Sequence, residues 1–410
     1  MTDNPQKQPT ADADRSPAVP PSSSDRPRIV VAGAGLAAAR VCTSLRRKGF
    51  DGEITLIGAE PHLPYDRPPL SKAVLAGERT STDLGVDASA LELTTRLGCQ
   101  VTGLDLDRQV VTTDGADEPY DALVIATGAR PVRLPGDGEQ LVLRTIDDAL
   151  HLASRLTPGA RVVLIGASWI GAEVATAALA AGCQVTCVEA AATPSNQALG
   201  DEVGGALVPL WAGVDLRLGT GVREIHCDGV YLADGTQIPA DVVVTGVGVR
   251  PETGWLAGSG LEMGRGVHVD EFMVSSDPRV LAVGDVAERW SPSRGARVGG
   301  EHWDDAGSAP ATAVASLLAI VSDTERPATG YDPVPYFWSD QFGRKIQYVG
   351  WHTPQDRVVL ERDESGTVQV ALWLDDQDRL TAWLGVNRPR SLVPARRGVG
   401  TRVDPATFFS

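Results

Sequence analysis

The chain has 410 residues, 42% of them hydrophobic, and a formal net charge of −16 at pH 7. This length allows two or three domains, and the acidic balance argues against nucleic acid and anionic membranes as partners. No apolar run reaches the ~18 residues that a membrane-spanning helix needs, so no such helix is predicted.

The first 27 residues are rich in Pro, Ser, Asp and Gln and hold few large apolar side chains. Such a composition buries too little apolar surface to fold, so residues 1–27 are predicted to be a disordered tail. The tail has no apolar segment typical of a secretory signal, and the five cysteines form no CxxC or CxxxxC pair. We therefore expect a protein of the reducing cytoplasm, and the six scattered histidines predict no metal site.

A βαβ pattern typical of dinucleotide binding occupies residues 28–60. Gly33 permits a tight turn after the first strand, Gly35 lets the backbone approach a pyrophosphate, and Ala38 lets the helix pack closely. The helix N-terminus faces the phosphates, and Glu60 at the end of the second strand can accept hydrogen bonds from ribose hydroxyls. The residues predicted to contact this first dinucleotide are Gly33, Gly35, Leu36, Ala37, Ala38 and Glu60.

A second such pattern occupies residues 161–189, so the chain is predicted to bind two dinucleotides and to transfer electrons between them. Ser168 replaces the middle glycine; its Cβ would push a pyrophosphate outward, although its hydroxyl could donate to a phosphate oxygen. Glu189 favours a free ribose 2′-hydroxyl and repels a 2′-phosphate, and the next 13 residues hold no Arg or Lys, so NADH is predicted rather than NADPH. The residues predicted to contact this second dinucleotide are Gly166, Ser168, Trp169, Ile170, Gly171, Glu173, Glu189 and Gly248.

Later strands complete these two predicted domains. Residues 121–128 form an apolar strand ending in ATG, residues 241–248 form its counterpart, and the Pro-rich stretch 129–137 indicates a domain crossing. A further strand ends in Gly284 and Asp285 and brings a carboxylate to the mouth of the first sheet, so the first domain is predicted to be discontinuous. The predicted boundaries are 28–136 with 253–327 for the first domain, 137–252 for the second and 328–410 for a C-terminal domain.

The C-terminal segments IQYVGW, RVVLER, TVQVALWL and LTAWLGVN are typical of successive short strands and predict an antiparallel sheet. The aromatic side chains of this region are expected mostly in the core, with Trp338 as the exception. The predicted fold class is therefore α/β, with two Rossmann-like dinucleotide-binding domains and a C-terminal α+β domain. Residues 388–402 hold five arginines and no acid, and they form either a solvated rim or a docking patch for an acidic protein.

Longer motifs accompany the glycine patterns, among them YDRPPLSK (65–72), GASWIGAEVA (166–175), EHWDDA (301–306) and PYFWSDQFG (335–343). On these motifs the chain from residue 28 onward resembles the FAD-dependent ferredoxin reductases of bacterial oxygenase systems. Putidaredoxin reductase and biphenyl-dioxygenase ferredoxin reductase are of this type, and the apoptosis-inducing-factor group is related to it. The resemblance implies a glutathione-reductase-like arrangement, with FAD in the first site and NADH in the second.

The resemblance also implies roles for individual residues. Lys72 is similar to a lysine near flavin N5 and Glu173 to a glutamate that pairs with it and contacts the nicotinamide, so this pair is expected to be catalytic. Asp285 is similar to an aspartate that holds the ribityl chain, and Arg144 to an arginine that contacts FAD. The further implied contacts are Arg67, Lys72, Val101, Ala126, Thr127, Gly128, Trp303 and Trp338 for FAD, and Glu301 for NADH.

The implied reaction moves a hydride from NADH to FAD and then single electrons to a small iron–sulfur ferredoxin, which serves a cytochrome P450 or a Rieske-type oxygenase. The residues expected to dock the ferredoxin are Arg388, Arg390, Arg396 and Arg397. Two alternatives stay open: an NADH oxidase or peroxidase-like flavoenzyme, and an NADH-sensing flavoprotein of the apoptosis-inducing-factor type. The oxidase alternative is disfavoured because no cysteine lies between Tyr65 and Lys72.

Overall fold

The computed structural model describes residues 26–409, so the tail predicted for residues 1–27 lies outside the described residues apart from Arg26 and Pro27. None of the helices between residues 26 and 409 has the length and apolar character that a membrane crossing requires. The helices are α1 Leu36–Arg47, α2 Ile146–Arg155, α3 Trp169–Ala180, α4 Asn196–Leu207, α5 Trp303–Val321 and α6 Leu392–Gly398.

The first sheet consists of five parallel strands, and its apolar runs such as Ile29–Ala32 are buried. Helices α1 and α5 pack together beside it. One edge strand, Val280–Ala282, comes from far along the chain. The chain therefore leaves this sheet and later returns to it. In spatial order the strands are Val280–Ala282, Ala122–Ile125, Arg28–Ala32, Glu53–Gly58 and Leu93–Leu97.

The second sheet repeats this construction with four parallel strands, and α3 packs against two of them. Its core combines the inner strand residues with the small side chains of α3, such as Ala172 and Ala175, which permit close approach of helix and sheet. Two Rossmann-like sheets are thereby confirmed. In spatial order the strands are Asp215–Leu218, Gln184–Glu189, Arg161–Ile165 and Val242–Thr245.

Short strands make the connections between and beside these sheets. The two chain crossings between the domains lie side by side, where Ala129–Pro131 pairs antiparallel with Val249–Pro251. Three small three-stranded sheets flank the domains. Their strands are Val101–Asp105, Val110–Thr113 and Glu118–Pro119; Val222–His226, Gly229–Leu232 and Gln237–Ile238; and Val267–Val269, Ala287–Ser291 and Ala296–Val298.

The C-terminal region forms the predicted antiparallel sheet, with five strands. Trp373 and Trp383 are fully buried on opposite faces: Trp373 packs with α4 of the second domain, and Trp383 packs with α6. Burial of such large apolar side chains contributes on the order of 2–3 kcal/mol each. In spatial order the strands are Tyr336–Gln341, Arg344–Gly350, Leu380–Val386, Val368–Leu374 and Arg357–Arg362.

Candidate functional site

A long cavity of about 1240 Å³ lies where the three domains meet. Its walls come from the first glycine turn, the 3₁₀ segment Pro68–Ser71, the start of α3, the start of α5 and the strand Tyr336–Gln341. The volume exceeds the roughly 300–1,000 Å³ of typical small-ligand pockets, so the cavity can enclose an extended ligand.

The first glycine turn forms a cradle at one end of this cavity. Gly33 has φ +117°, and a Cβ on it would overlap the carbonyl oxygen of Ala126, so only glycine fits. A Cβ on Gly35 would meet nothing within 4 Å, because Gly35 faces the open cavity. Among the described residues, no side chain caps α1 at Gly35, so its first N–H groups are left for a ligand.

The second glycine turn also begins with a glycine of positive φ, but here a serine side chain caps the following helix. Gly166 has φ +101°, and its Cβ would lie 2.5 Å from the oxygen of Gly246. Ser168 caps α3: its hydroxyl accepts a hydrogen bond from the Gly171 N–H at 3.2 Å and donates to the Gly246 oxygen at 2.9 Å. The expectation that this hydroxyl donates to a phosphate is therefore wrong for this conformation, because its proton is already engaged.

The two acidic residues predicted to end the second strands are each held by their own domain; Glu189 ends its strand, whereas Glu60 follows its strand by two residues. Glu60 pairs with Arg67 at 2.7 Å and accepts a hydrogen bond from the Tyr65 hydroxyl. Glu189 accepts hydrogen bonds from the N–H groups of Ala167 and Ala191, both at 2.8 Å. Each carboxylate keeps lone pairs for ribose hydroxyls, since an ionised carboxylate has about four acceptor sites.

Tyr65 and Arg67 tie the Glu60 carboxylate to the second domain. The Tyr65 hydroxyl accepts a hydrogen bond from the Ile146 N–H at 3.0 Å, at the start of α2. Burial raises the pKa of the Tyr65 phenol, although the charge of Arg67 opposes this rise. Burial is the largest influence on Arg67 and would lower its pKa, but the charges of Glu60, Tyr65 and Asp285 together with the Glu60 hydrogen bond raise the pKa above its usual value. Arg67 therefore stays charged inside the cavity wall.

Lys72 and Glu173 form an ion pair across the domain boundary. Lys72 Nζ lies 2.9 Å from Glu173 Oε2, and the Glu173 side chain is only 4% exposed. The same oxygen accepts a hydrogen bond from the hydroxyl of Ser71, while Oε1 accepts from the Ser339 hydroxyl at 2.6 Å and the Asp340 N–H at 3.1 Å. The predicted pair is thus brought together at the cavity wall, and three neutral donors support it.

A second ion pair lies at the mouth of the first sheet, where Arg144 Nη2 is 2.6 Å from Asp285 Oδ2. Glu301 lines the same part of the cavity. Desolvation of its carboxyl, followed by the charge of Asp285, raises the pKa of Glu301, and Arg144 opposes this effect. This end of the cavity therefore presents carboxylate acceptors beside one guanidinium.

An aromatic wall closes the cavity towards solvent. Trp303 and Trp338 meet edge to face with ring centroids 5.6 Å apart, and Tyr336 stacks on Trp338 at 6.0 Å. Trp303 Nε1 donates a hydrogen bond to Asp66 Oδ1 at 2.7 Å, which fixes its ring, yet Trp303 remains 38% exposed. Trp338 is confirmed as an exception to core burial, since it lines the cavity.

The cavity brings together most of the residues predicted from sequence. Those on its walls are Gly33, Gly35, Leu36, Ala37, Glu60, Arg67, Lys72, Val101, Ala126, Thr127, Gly128, Arg144, Trp169, Ile170, Glu173, Asp285, Glu301, Trp303 and Trp338. Ala38 is instead buried in the core beneath α1, where it permits helix packing rather than ligand contact. Gly166, Ser168, Gly171, Glu189 and Gly248 belong to the second glycine turn and its surroundings, outside this cavity's walls.

The arginine segment is less uniform than its sequence indicates. Arg396 pairs with Asp304 at 2.6 Å and lies over the Tyr336 ring at 5.3 Å, and Arg388 lies 3.6 Å from Glu361. Arg390 and Arg397 are exposed and make no ion pair with any residue between 26 and 409. Of the four arginines expected to dock a partner, these two therefore carry the unpaired charge; Arg402, at the end of the segment, is also exposed and its Nε donates to the Gln377 carbonyl oxygen.

The cysteines do not form a redox pair in the part of the chain that the structure describes. Burial raises the pKa of the Cys42 thiol to about 12, and it also raises the pKa of Cys187, so neither forms a thiolate at neutral pH. Cys99 lies on the cavity wall, next to Gln100 and Val101, rather than beside Lys72.

Two parallel-sheet domains with equivalent glycine turns, joined at one long cavity, define an oxidoreductase built for two dinucleotides. Residues 27–309 match the profile of the pyridine nucleotide-disulphide oxidoreductases, and residues 336–408 match that of a reductase C-terminal domain. The chain belongs to the pyridine nucleotide-disulphide oxidoreductase family.

Similar proteins within this family support the resemblance stated above. The ferredoxin–NAD(+) reductase component of the p-cumate 2,3-dioxygenase system of Pseudomonas putida is 36% identical over 394 residues, which cover 93% of this chain and 96% of that protein. The crystal structure of Fdr9 is 51% identical, with a TM-score of 0.90 over 94% of this chain and 98% of that one. The reductase in a covalent putidaredoxin reductase–putidaredoxin complex is 32% identical, with a TM-score of 0.85 over 94% and 96% of the two chains.

Proposed function

We propose that the protein is a flavoprotein ferredoxin reductase that oxidises NADH and reduces a small iron–sulfur ferredoxin. One NADH carries two electrons, so each turnover reduces two one-electron carriers and releases one proton. The observation that carries this proposal is the Lys72–Glu173 pair, which lies in one cavity with the uncapped first glycine turn and an exposed tryptophan wall. The similarity to reductases of a dioxygenase system and of putidaredoxin supports it.

The first cavity end fits FAD by its shape and its donors. Gly35 leaves room for a pyrophosphate, and the uncapped N–H groups of α1 supply hydrogen-bond donors to it. Glu60 and Asp285 offer acceptors for ribose and ribityl hydroxyls, and Arg144 fixes Asp285. When bound, FAD supplies the exchange between two-electron nicotinamide chemistry and one-electron carriers.

Nicotinamide binding is assigned to the second glycine turn and to the start of α3. Glu189 is fixed by two backbone N–H groups, so its carboxylate is oriented for ribose hydroxyls and disfavours a 2′-phosphate. Trp169, Ile170 and Glu173 extend from the same helix into the cavity. The helix thus runs from the proposed nucleotide site to the Lys72 pair, which supports NADH as the donor.

Ferredoxin docking is assigned to the surface beside the aromatic wall. Arg390 and Arg397 carry free positive charge there, Val393 on the same helix α6 is 55% exposed, and Trp303 stands at the cavity mouth. A basic and partly apolar surface of this kind suits an acidic partner. The ferredoxin in turn would serve a cytochrome P450 or a Rieske-type oxygenase, and the five free cysteines support the predicted cytoplasmic setting.

Anaerobic mixing of the purified FAD-loaded protein with NADH, and separately with NADPH, tests the first half of this proposal. We expect NADH to bleach the oxidised-flavin absorbance at least tenfold faster than NADPH does. No bleaching by either nucleotide would refute the reductase function. A slow, oxygen-stable complex with NADH would instead indicate the sensor alternative, and rapid oxygen consumption without a ferredoxin would indicate the oxidase.

Charge reversal tests the docking surface. Arg390→Glu combined with Arg397→Glu is expected to reduce the rate of ferredoxin reduction and to weaken its dependence on salt, because like charges would then face an acidic partner. Arg108→Glu, at an exposed turn of the first domain, is the matched control and should leave both unchanged. Equal behaviour of the double variant and the control would place docking elsewhere.

A further inference from the structure

The carboxylate of Glu173 is the point at which side chains of all three domains meet. Ser71 and Lys72 come from the first domain, Glu173 from α3 of the second, and Ser339 and Asp340 from the C-terminal sheet. Each carboxylate oxygen accepts two hydrogen bonds: Oε2 from Ser71 and Lys72, and Oε1 from the Asp340 N–H and from the Ser339 hydroxyl at 2.6 Å. A displacement of any one domain therefore changes the surroundings of this charge.

Ser339 is oriented for this contact by its neighbours. It is completely buried, and its hydroxyl oxygen accepts a hydrogen bond from Gln341 Nε2 at 3.2 Å. Because that lone pair is occupied by a donor, the hydroxyl proton is directed to the remaining acceptor, which is Glu173 Oε1. The orientation of the serine is thus built into the strand.

The strand Tyr336–Gln341 is attached to α3 at more than this one point. Phe342 N–H donates to Thr176 Oγ1 at 2.8 Å, one helical turn beyond Glu173. One turn in the other direction, Trp169 packs against Phe337 with ring centroids 4.9 Å apart. Three contacts along one face of α3 therefore hold the strand beside the helix, so the position of Ser339 does not depend on the Glu173 contact alone.

The donors around Glu173 differ in charge: Lys72 can compensate the negative charge of the carboxylate, whereas the other donors are neutral and can only form hydrogen bonds to it. A buried carboxylate needs compensation, and the Lys72 ammonium supplies the only ion pair to it between residues 26 and 409. The two serine hydroxyls and the Asp340 N–H are neutral, so they stabilise the carboxylate without adding positive charge. Lys72 is therefore positioned by Glu173, and Glu173 is positioned by the serines.

We propose that Ser339 and Ser71 are positioning residues that act through Glu173 to hold the Lys72 ammonium at the cavity wall and so set the reduction potential of the flavin. This inference rests on the proposed function, because it requires FAD in the cavity. A cation held near the flavin stabilises its anionic reduced form. Loss of either serine hydroxyl loosens the carboxylate, and the Lys72 ammonium then stabilises the reduced form less well.

Midpoint potentials of the FAD-loaded protein, measured by dye equilibration without nicotinamide, test the inference. Lys72→Met is expected to lower the equilibrium constant for flavin reduction about tenfold, equal to about 30 mV for a two-electron couple. Ser339→Ala and Ser71→Ala are expected to lower it about threefold each, equal to about 14 mV. Ser316→Ala is the matched control, because Ser316 is equally buried but its hydroxyl donates only to backbone oxygens.

The double variant Lys72→Met with Ser339→Ala separates positioning from general packing. If Ser339 acts through Lys72, the double variant has the potential of Lys72→Met alone. Additive shifts, or serine variants with the potential of the wild type, would overturn the inference while leaving the reductase function intact. If Ser339→Ala fails to fold, Ser71→Ala carries the same test. A wild-type protein that binds no FAD would overturn both the inference and the proposed function.

Discussion

Substitution by alanine is expected to have different effects at the two glycines of the first turn. Gly33→Ala should lower the stability of the fold, whereas Gly35→Ala should lower the affinity for FAD. Gly33→Ala places a Cβ closer to the Ala126 carbonyl than the 3.0 Å that real Cβ atoms keep, at φ +117°. The conformation alone costs about 1–3 kcal/mol, and relief of the overlap requires movement of the backbone. Gly33→Ala should therefore destabilise the apoprotein by several kcal/mol.

Gly35→Ala should leave the fold nearly unchanged. Its φ of −93° suits any residue, and its Cβ would meet nothing within 4 Å. The gain of about 0.4–1 kcal/mol from a less flexible unfolded chain is offset by the poorer capping of alanine at this position. The new methyl group, however, enters the space assigned to the FAD pyrophosphate, so FAD affinity should fall at least about tenfold, or about 1.4 kcal/mol.

Urea unfolding of the apoprotein and FAD titration by flavin fluorescence measure these two effects separately. The expected pattern is a stable Gly35→Ala variant that binds FAD weakly and a Gly33→Ala variant that is unstable before any FAD is added. Wild-type FAD affinity in the Gly35→Ala variant would show that the pyrophosphate does not pass this residue. The assignment of the first cavity end to FAD would then be refuted.

Three further substitutions test other parts of the site. Ser168→Gly removes the Cβ beside the proposed NADH pyrophosphate at a capping cost of a few tenths of a kcal/mol, so steady-state kinetics should show a severalfold lower KM for NADH. Glu301→Gln removes a carboxyl whose pKa is raised by folding. Because the ionised form of such a carboxyl destabilises the folded state, it destabilises the apoprotein as pH rises above its unfolded pKa of about 4.3. In thermal scans the variant should therefore have a higher Tm than the wild type at pH 7 but not at pH 3. Tyr65→Phe leaves the Ile146 N–H without its partner and should cost about 1–3 kcal/mol in urea unfolding, whereas a smaller loss would indicate that water replaces the hydroxyl.

The duplicated glycine turns could be predicted from sequence because their determinants are local. The positive φ of Gly33 and Gly166, and the strand that precedes each, depend on residues within one βαβ unit. The acidic residues at or just after the ends of the second strands also follow from this spacing. Local periodicity therefore located both turns and assigned one cofactor to each domain, and the longer motifs then identified the family.

The support around Glu173 could not be predicted in the same way. Ser71 and Ser339 reach Glu173 across 102 and 166 positions of sequence, respectively, and only the assembled domains bring them together. Both serines stand inside the motifs that carry the resemblance, yet nothing local reveals which way a hydroxyl points. The pairing of Arg396 with Asp304 across 92 positions was hidden for the same reason, which made the arginine segment look more available than it is.

The paired crossings Ala129–Pro131 and Val249–Pro251 give the second domain the topology of an insert. Its two ends lie in neighbouring strands, about 4.8 Å apart, so the host sheet would need only a tight hairpin to close without it. A module joined in this way can be acquired or exchanged as a unit, because neither connection has to span the host core.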